Sequence, residues 1–355
     1  MPTRGVTAVE RMVRWKTQPH HLQPSRAFSD LIAELRCRLA DLVGAQVKDV
    51  VLANSASYGL HLLANGMGLE AGDEVVVAAN DFPSDLLPWL RLQQHGVIVR
   101  QIRPTKPVAT ADEVRSAITH RTRAVCLTWV HSFSGQMIDL EGIGSLCREA
   151  GVLFIVNGSQ AVGAIPLDVK QIPIDALSTV GFKWLCGPYG TGFCWLGERA
   201  QEKVAPTKLY WLNTLSTDDL TKPDIDLSDI DPPETGRHDI FGTANFFNNA
   251  PFAESVDLIN STGVPAIHDH NLELAAQLIA GLDHNRFEVQ DRGPSKQRSG
   301  IIFVRPLDAS ADRTSARLAA GGIDVAQRSG MIRLAPHFYN TVAEVGHVLE
   351  VMNAG

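Results

Sequence analysis

The chain has 355 residues, 45% hydrophobic and 20% charged, enough for a large core and, most simply, two domains. Its formal net charge of -7, with Lys and Arg scattered, gives no basic field for nucleic acid, so a small-molecule site is expected. No apolar run reaches the roughly 18 residues that span a bilayer, and the N-terminal stretch has no apolar signal core; the expectation is a cytoplasmic protein with no membrane partner.

A first helix is expected over 29–43, where Leu31, Ile32, Leu35, Leu39, Leu42 and Val43 keep a helical period. From Val50 the rhythm changes. Short β-rich runs (VVLA, EVVVAA, VIVRQI, AVCLTWV, LFIV, ALSTVG, GTGFCWL) alternate with helix-like segments such as 59–66, 84–95 and 140–150. Continuously apolar strands separated by helices point to a mostly parallel sheet covered on both faces. GTGFCWL follows its neighbour through a short turn and is expected to run antiparallel. The segment 214–236, rich in Asp, Pro, Ser and Thr, reads as a long surface excursion. Beyond it a helix over 266–282, opened by Pro265, and the runs FEVQ, GIIFVRP, IDVAQR and MIRLAP suit a smaller α+β domain. The expected division is an N-terminal segment 1–30, a large domain 31–245 and a small domain 246–355.

Cys37, Cys126, Cys147, Cys186 and Cys194 form no CxxC pair, and the histidines fall in no HExxH spacing, so no metal site is expected. Chemistry is sought at the carboxyl ends of the strands, where doubly wound sheets bind ligands. Four ends stand out. The turn 54-NSASYGL-60 opens a helix. Its backbone N–H groups, with the hydroxyls of Ser55 and Ser57, can cradle a phosphate, although Ser and Asn also serve simply as caps. In 80-NDFPSDLLPW-89, Phe82 can stack on a planar ligand or belong to the core. The run 153-LFIVNGSQAVGAIPLDV-169 carries Asn157 and Gln160 at its strand end. In 178-STVGFKWLCGPYGTGF-193, Lys183 stands between Phe182 and Trp184 in a glycine-rich turn; desolvation there favours the free amine that forms a Schiff base.

Together these segments resemble the class V aminotransferase family of fold type I pyridoxal phosphate (PLP) enzymes, which includes cysteine desulfurases and isopenicillin N epimerase-like proteins. The resemblance spans about 30–350 and is most specific in VNGSQAVGAIPLDV followed by GFKWLCGPYGTGF. It implies an α/β fold with a large, mostly parallel seven-stranded sheet, a smaller C-terminal α+β domain, and PLP as cofactor. Residue by residue, it makes Lys183 the Schiff-base lysine and proton shuttle and puts Ala56 and Ser57 at the phosphate. Phe82 falls where the family stacks an aromatic on the pyridine ring, and Gln160 where a glutamine contacts the phenolic oxygen. Arg333, in 331-MIRLAPHFYNT-341, is similar to the arginine that grips the substrate carboxylate; a surface acid as its partner is the alternative. The segment 241-FGTAN-245 resembles a turn whose threonine, here Thr243, reaches the partner's phosphate, which implies a homodimer.

The departures sharpen the reading. Asn157 stands where the family has the aspartate that partners the pyridine nitrogen, and an amide cannot supply that charge. The ring is then expected to be mostly neutral, which disfavours transamination and favours reactions that discharge the Cα electron pair promptly. No cysteine lies in 323-IDVAQRSGM-331, near where desulfurases of the family place their persulfide thiol. Position 182 is Phe where His is frequent, and no family-like opening strand precedes Val6. The expected function is a PLP-dependent lyase or epimerase acting on an amino acid, foremost Cβ–S elimination on a sulfur-containing intermediate. The alternatives are a decarboxylating oxidative deaminase of the same fold, or a catalytically impaired PLP-fold partner protein.

Overall fold

The structure, a computed structural model, describes residues 1–21, 29–215, 219–224, 227, 234 and 236–354. Of the polar excursion 214–236, positions 216–218, 225–226, 228–233 and 235 lie outside the described residues. The first elements are α1 (Thr3–Thr17), α2 (Leu31–Val43), β1 (Val50–Ala53), α3 (Ala56–Gly66), β2 (Glu74–Ala78), α4 (Pro83–Leu92) and β3 (Ile98–Ile102). They continue through α5 (Ala111–Ala117), β4 (Thr122–Thr128), α6 (Leu140–Glu149), β5 (Leu153–Asn157), β6 (Ala176–Val180), β7 (Gly192–Leu196), α7 (Glu198–Lys203) and α8 (Trp211–Thr214). After the excursion come α9 (Phe246–Thr262), α10 (Val264–Gly281), β8 (Phe287–Val289), β9 (Ile302–Pro306), α11 (Ala311–Ala320), β10 (Ala326–Arg328), β11 (Met331–Leu334) and α12 (Val342–Asn353).

β1 to β7 form one sheet in the order β1-β7-β6-β5-β4-β2-β3. β2 to β6 are mutually parallel, and β7 runs antiparallel to both neighbours, as expected for GTGFCWL. The inner strands are largely apolar because both faces are covered, whereas the edge strand β3 (IVRQI) is mostly exposed. In β4, Val125 and Leu127 join one core, while Ala124 and Cys126 join the core on the opposite face. The second sheet, β10-β11-β9-β8, is antiparallel. It buries Ile302, Val304 and Ile332 together with Leu274, Leu318 and Met352 of α10, α11 and α12.

Two further helices, α9 and α1, stack on the large sheet's core in turn. α9 sends Phe252, Ala253, Val256 and Ile259 into the core that contains β4 and β5. α1 rests Ala8 and Met12 on Phe246 and Ala250 of α9. The sequence signals α1 weakly, since its buried face consists of Gly5, Ala8 and Met12 alone.

Strand register brings three segments to one edge. Ala53 pairs with Gly192, and Gly192 pairs with Val180, so the carboxyl ends of β1 and β6 flank the start of β7. α3 lies close over β6 because Gly59 has no side chain: a Cβ there would stand 2.3 Å from Ser178 Oγ. The Ser178 hydroxyl is thereby free to donate to the Ala56 carbonyl at 2.8 Å.

A buried ion pair anchors the chain entering the Gly-Thr turn. Arg36 and Asp239 are both buried, with Arg36 Nη1 3.1 Å from Asp239 Oδ1; the Leu52 N–H donates to the same oxygen at 2.8 Å. Removing one partner strands the other charge without water. Asp239→Ala is expected to lower the unfolding free energy by about 3–5 kcal/mol, read from urea unfolding. A loss under about 1 kcal/mol, the range of exposed pairs, would contradict this account.

Candidate active site

β4 and β5 end in register, Thr128 beside Asn157, and Ser178 of β6 pairs with Asn157 on the other side. Asn157 and Thr179 are buried. The hydroxyls of Thr179 and of Ser159, which follows β5, are buried without a hydrogen-bond partner among the described residues. Unpartnered buried polar atoms are costly, and a group of them at the carboxyl edge of a parallel sheet marks a place completed by a ligand.

Lys183 stands in the turn between β6 and β7, half-buried. Burial first, and then the Arg333 guanidinium, lower its pKa to about 8, while Asp85 pulls it back upward. Lys183 makes no salt bridge among the described residues. Phe82, at the start of α4, is 41% exposed, and its ring centroid lies 5.9 Å from Lys183 Nζ. Such exposure argues against a core role and leaves one ring face available beside the amine.

Asn157 is 3% exposed. Its Oδ1 accepts the Ser159 N–H at 3.0 Å, which fixes the amide's orientation: Nδ2 donates to Asp85 Oδ2 at 3.0 Å, with Ser84 Oγ at 3.4 Å. Asp85, on the first turn of α4, is fully buried, and its Oδ1 has no partner. Burial, and next the nearby Asp81, push the Asp85 carboxyl well above the usual carboxylate range, against the hydrogen bond from Asn157. Asp81 is itself raised by burial, and its Oδ2 accepts the Thr128 N–H at 3.0 Å. A carboxyl group does reach the end of β5, from a segment 72 residues earlier in the chain.

The remaining sequence candidates fall in several settings. Ser55 caps α3: its Oγ accepts the Tyr58 N–H at 3.3 Å and donates to Asn54 Oδ1 at 3.0 Å. Helix geometry leaves the N–H groups of Ala56 and Ser57 without intrahelical acceptors, so the backbone there is suited to an anion. Gln160 is buried in the turn after β5. Thr243 is buried with its hydroxyl unpartnered; no hydrogen bond joins it to Lys183 or to the start of α3 among the described residues. Arg333, on β11, is half-buried with Nε unpartnered and pairs with no acid among the described residues. Burial, and then Arg328, lower its pKa.

The sequence reading left out Asp85 and His337. His337 stacks on Trp184 at 4.9 Å and on Tyr339 at 4.6 Å, with Nε2 3.6 Å from Cys186 Sγ. Burial lowers its pKa to about 4, so it is neutral at pH 7. Phe182 stacks on Tyr189 at 4.4 Å. A sequence signal for Asp85 existed: it shares a helix turn with Trp89, four residues on, and both are fully buried.

The family model for class V aminotransferases matches residues 6–347. The chain belongs to the class V aminotransferase family. It is 26% identical over 343 residues to a probable cysteine desulfurase of Methanothermobacter thermautotrophicus, covering 90% of this chain and 83% of the relative. It is 27% identical over 363 residues to isopenicillin N epimerase of Amycolatopsis lactamdurans, covering 92% and 86%. Its fold is that of the cystine C-S lyase C-DES, solved in complex with its product cysteine persulfide. There the TM-score is 0.87 at 19% identity, over 100% of this chain and 95% of that one.

This class V aminotransferase has the fold type I architecture, and its cofactor is PLP. The residues present fit that group. An amine of lowered pKa, an exposed aromatic face, a helix start with free N–H groups and unpartnered buried hydroxyls converge at the strand ends.

The lowered lysine pKa carries a stability consequence in the cofactor-free protein. Folded Lys183 releases its proton near pH 8, whereas the unfolded side chain holds it to about 10.5. The unfolded state therefore binds more protons between those values, so the penalty for burying the amine is full below pH 8 and fades as pH rises to 10.5. Without cofactor, Lys183→Met is expected to melt above the wild type at pH 7, with the gap closing across that window. A gap independent of pH would contradict the assignment.

Proposed function

We propose that the chain is a PLP-dependent lyase or epimerase acting on an amino acid, with Cβ–S elimination on a sulfur-containing substrate as its principal reaction. The observation that carries this reading is the Arg333 guanidinium, which pairs with no acid among the described residues, near enough to the half-buried Lys183 amine to lower its pKa. A cation with no acid of its own among the described residues suits a substrate carboxylate, and an amine whose pKa burial lowers to about 8 gives up its proton far more readily than an exposed lysine, which suits a base. Cysteine desulfurase and C-S lyase among the similar proteins support the sulfur chemistry. Similarity to isopenicillin N epimerase supports Cα inversion as the second reading.

When bound, the cofactor supplies the electron sink that makes the Cα proton acidic. In the reading proposed here the chain's own residues do the rest. Lys183 holds the cofactor and, once displaced by the substrate amine, takes the Cα proton on Nζ. Arg333 fixes the carboxylate and so the direction of the Cα–H bond. Phe82 covers one ring face, and Ala56, Ser57 and Gln160 position the phosphate and phenolic oxygen. In elimination, the electron pair of the broken Cα–H bond forms the Cα–Cβ double bond as Cβ–S breaks, and the sulfur leaves as thiolate.

Transfer of sulfur to a protein thiol is not part of this reading. Residues 323–331 contain no cysteine. Cys186, three residues past Lys183, is raised by burial and faces a neutral His337; a protonated thiol is a poor sulfur acceptor. The reading includes a homodimer, supported by Tyr189 and Phe241, 79% and 56% exposed, on segments adjoining Lys183 and Thr243.

The test is a panel of amino acids including cystine, incubated with PLP-loaded protein in D2O. Keto acid carrying solvent deuterium at Cβ, with ammonia and persulfide appearing, supports elimination; Cα deuteration of the recovered amino acid with loss of optical purity supports inversion. Absence of both these products and of Cα deuteration for every amino acid counts against both. Arg333→Ala should lower kcat/KM for the best substrate roughly a hundredfold, the worth of about two charge-assisted hydrogen bonds. The same substrate with its carboxylate amidated should lose this sensitivity.

A further inference from the structure

Asp85 is an unusual residue to find without water. It does not cap α4, whose N-cap residue is Phe82 with no side-chain cap. It makes no salt bridge among the described residues; its Oδ2 takes the Asn157 N–H, and its Oδ1 has no partner. Asp81, four residues earlier, adds a second acid to the same pocket and disfavours charge on Asp85. From the facing strands, Thr128, Cys126 and Asn157 approach it, and Lys183 is the cation that responds to it. A fully buried carboxyl with an open oxygen is costly unless something supplies a positive or donor group.

The amide beside it is oriented by Ser159, so that its N–H side faces Asp85. We propose that Asp85, acting through the Asn157 amide, is the acid that supports the cofactor's ring nitrogen, the acid standing on α4 and the amide at the end of β5. The inference rests on PLP being bound at Lys183 and deepens that reading. The strand-end amide is then one half of a pair, with the charge held on the helix. Asp85 is a positioning residue that places its charge through Asn157, and a protonated ring nitrogen is the counter-charge its buried carboxylate lacks. The expectation of a mostly neutral ring, based on Asn157 alone, is replaced by that of a protonated one.

The experiment measures equilibrium binding to the full chain of two ligands: PLP and the analogue whose ring nitrogen is replaced by C–H. The wild type is expected to prefer PLP by roughly 10- to 100-fold, the range for a hydrogen bond to a charged group. Asp85→Asn is isosteric and should reduce the ratio to near one. The exchange variant Asp85→Asn/Asn157→Asp should restore it, as coupled neighbours do in a double-mutant cycle. A ratio unchanged by Asp85→Asn, or near one in the wild type, overturns the proposal. If Asp85→Asn does not fold, the exchange variant decides: preference retained supports the pair, and preference lost overturns it. Borohydride reduction of the wild type, followed by mass spectrometry of the Lys183 peptide, separates the two levels. A modified lysine with an insensitive ratio removes only Asp85's role, whereas an unmodified lysine removes the PLP reading and this inference with it.

Discussion

The site depends on a single antiparallel strand. β7 lies between β1 and β6, and Gly192 pairs with Ala53 on one side and Val180 on the other. The chain leaving β6 must therefore reverse within a short turn at the edge where α3 begins, and that turn carries Lys183. Had β7 run parallel, a crossover would have carried the lysine away from this edge. Glycine makes the closure possible, since a Cβ at Gly192 would stand 2.5 Å from the Thr179 carbonyl oxygen. The start of α3 and the amine are thus set relative to one another by the main-chain hydrogen bonds of β1, β7 and β6.

Within this frame, burial tunes the chemistry. Lys183 and His337 both lose basicity for lack of water, and Arg333 is held without an acid. The same dryness raises Asp81 and Asp85. Lys183, lowered to about 8, is brought closer to the point where a proton can move, which suits acid-base work near neutral pH. The aromatic wall of Trp184, His337 and Tyr339 links the lysine turn to the segment after Arg333 through stacked rings. It links the position of Lys183 to that of Arg333.

What could be read from the sequence follows from how local each signal is. Strands β2, β4, β5 and β6 were legible because burial on both faces makes them continuously apolar. Lys183 was legible because its neighbours are apolar and glycine-rich, a local contrast. Arg333 was found by resemblance, and its lack of an acid partner emerged only in three dimensions. α1 was missed because it buries a short face of small residues against α9, far along the chain. Asp85 was missed for a related reason: position 157 was read in line with its own strand, while the acid beside it comes from α4, and no periodicity links the two.

The position of the acid changes which residues must choose the reaction. An amide at the strand end, taken alone, argues for a weak electron sink and against transamination. If Asp85 serves the ring nitrogen as proposed above, that argument loses its force, because an acid reaches the same pocket from α4. Selection among fates of the Cα electron pair then passes to the groups that move protons. Transamination requires reprotonation at the cofactor carbon. Elimination requires only that a leaving group depart faster than that proton arrives. On the reading proposed above, with the Lys183 pKa lowered to about 8 and Arg333 taking the carboxylate, a substrate bearing sulfur at Cβ supplies the faster exit. Specificity for elimination would on that reading reside in the substrate's leaving group and in Lys183's reach more than in the ring nitrogen.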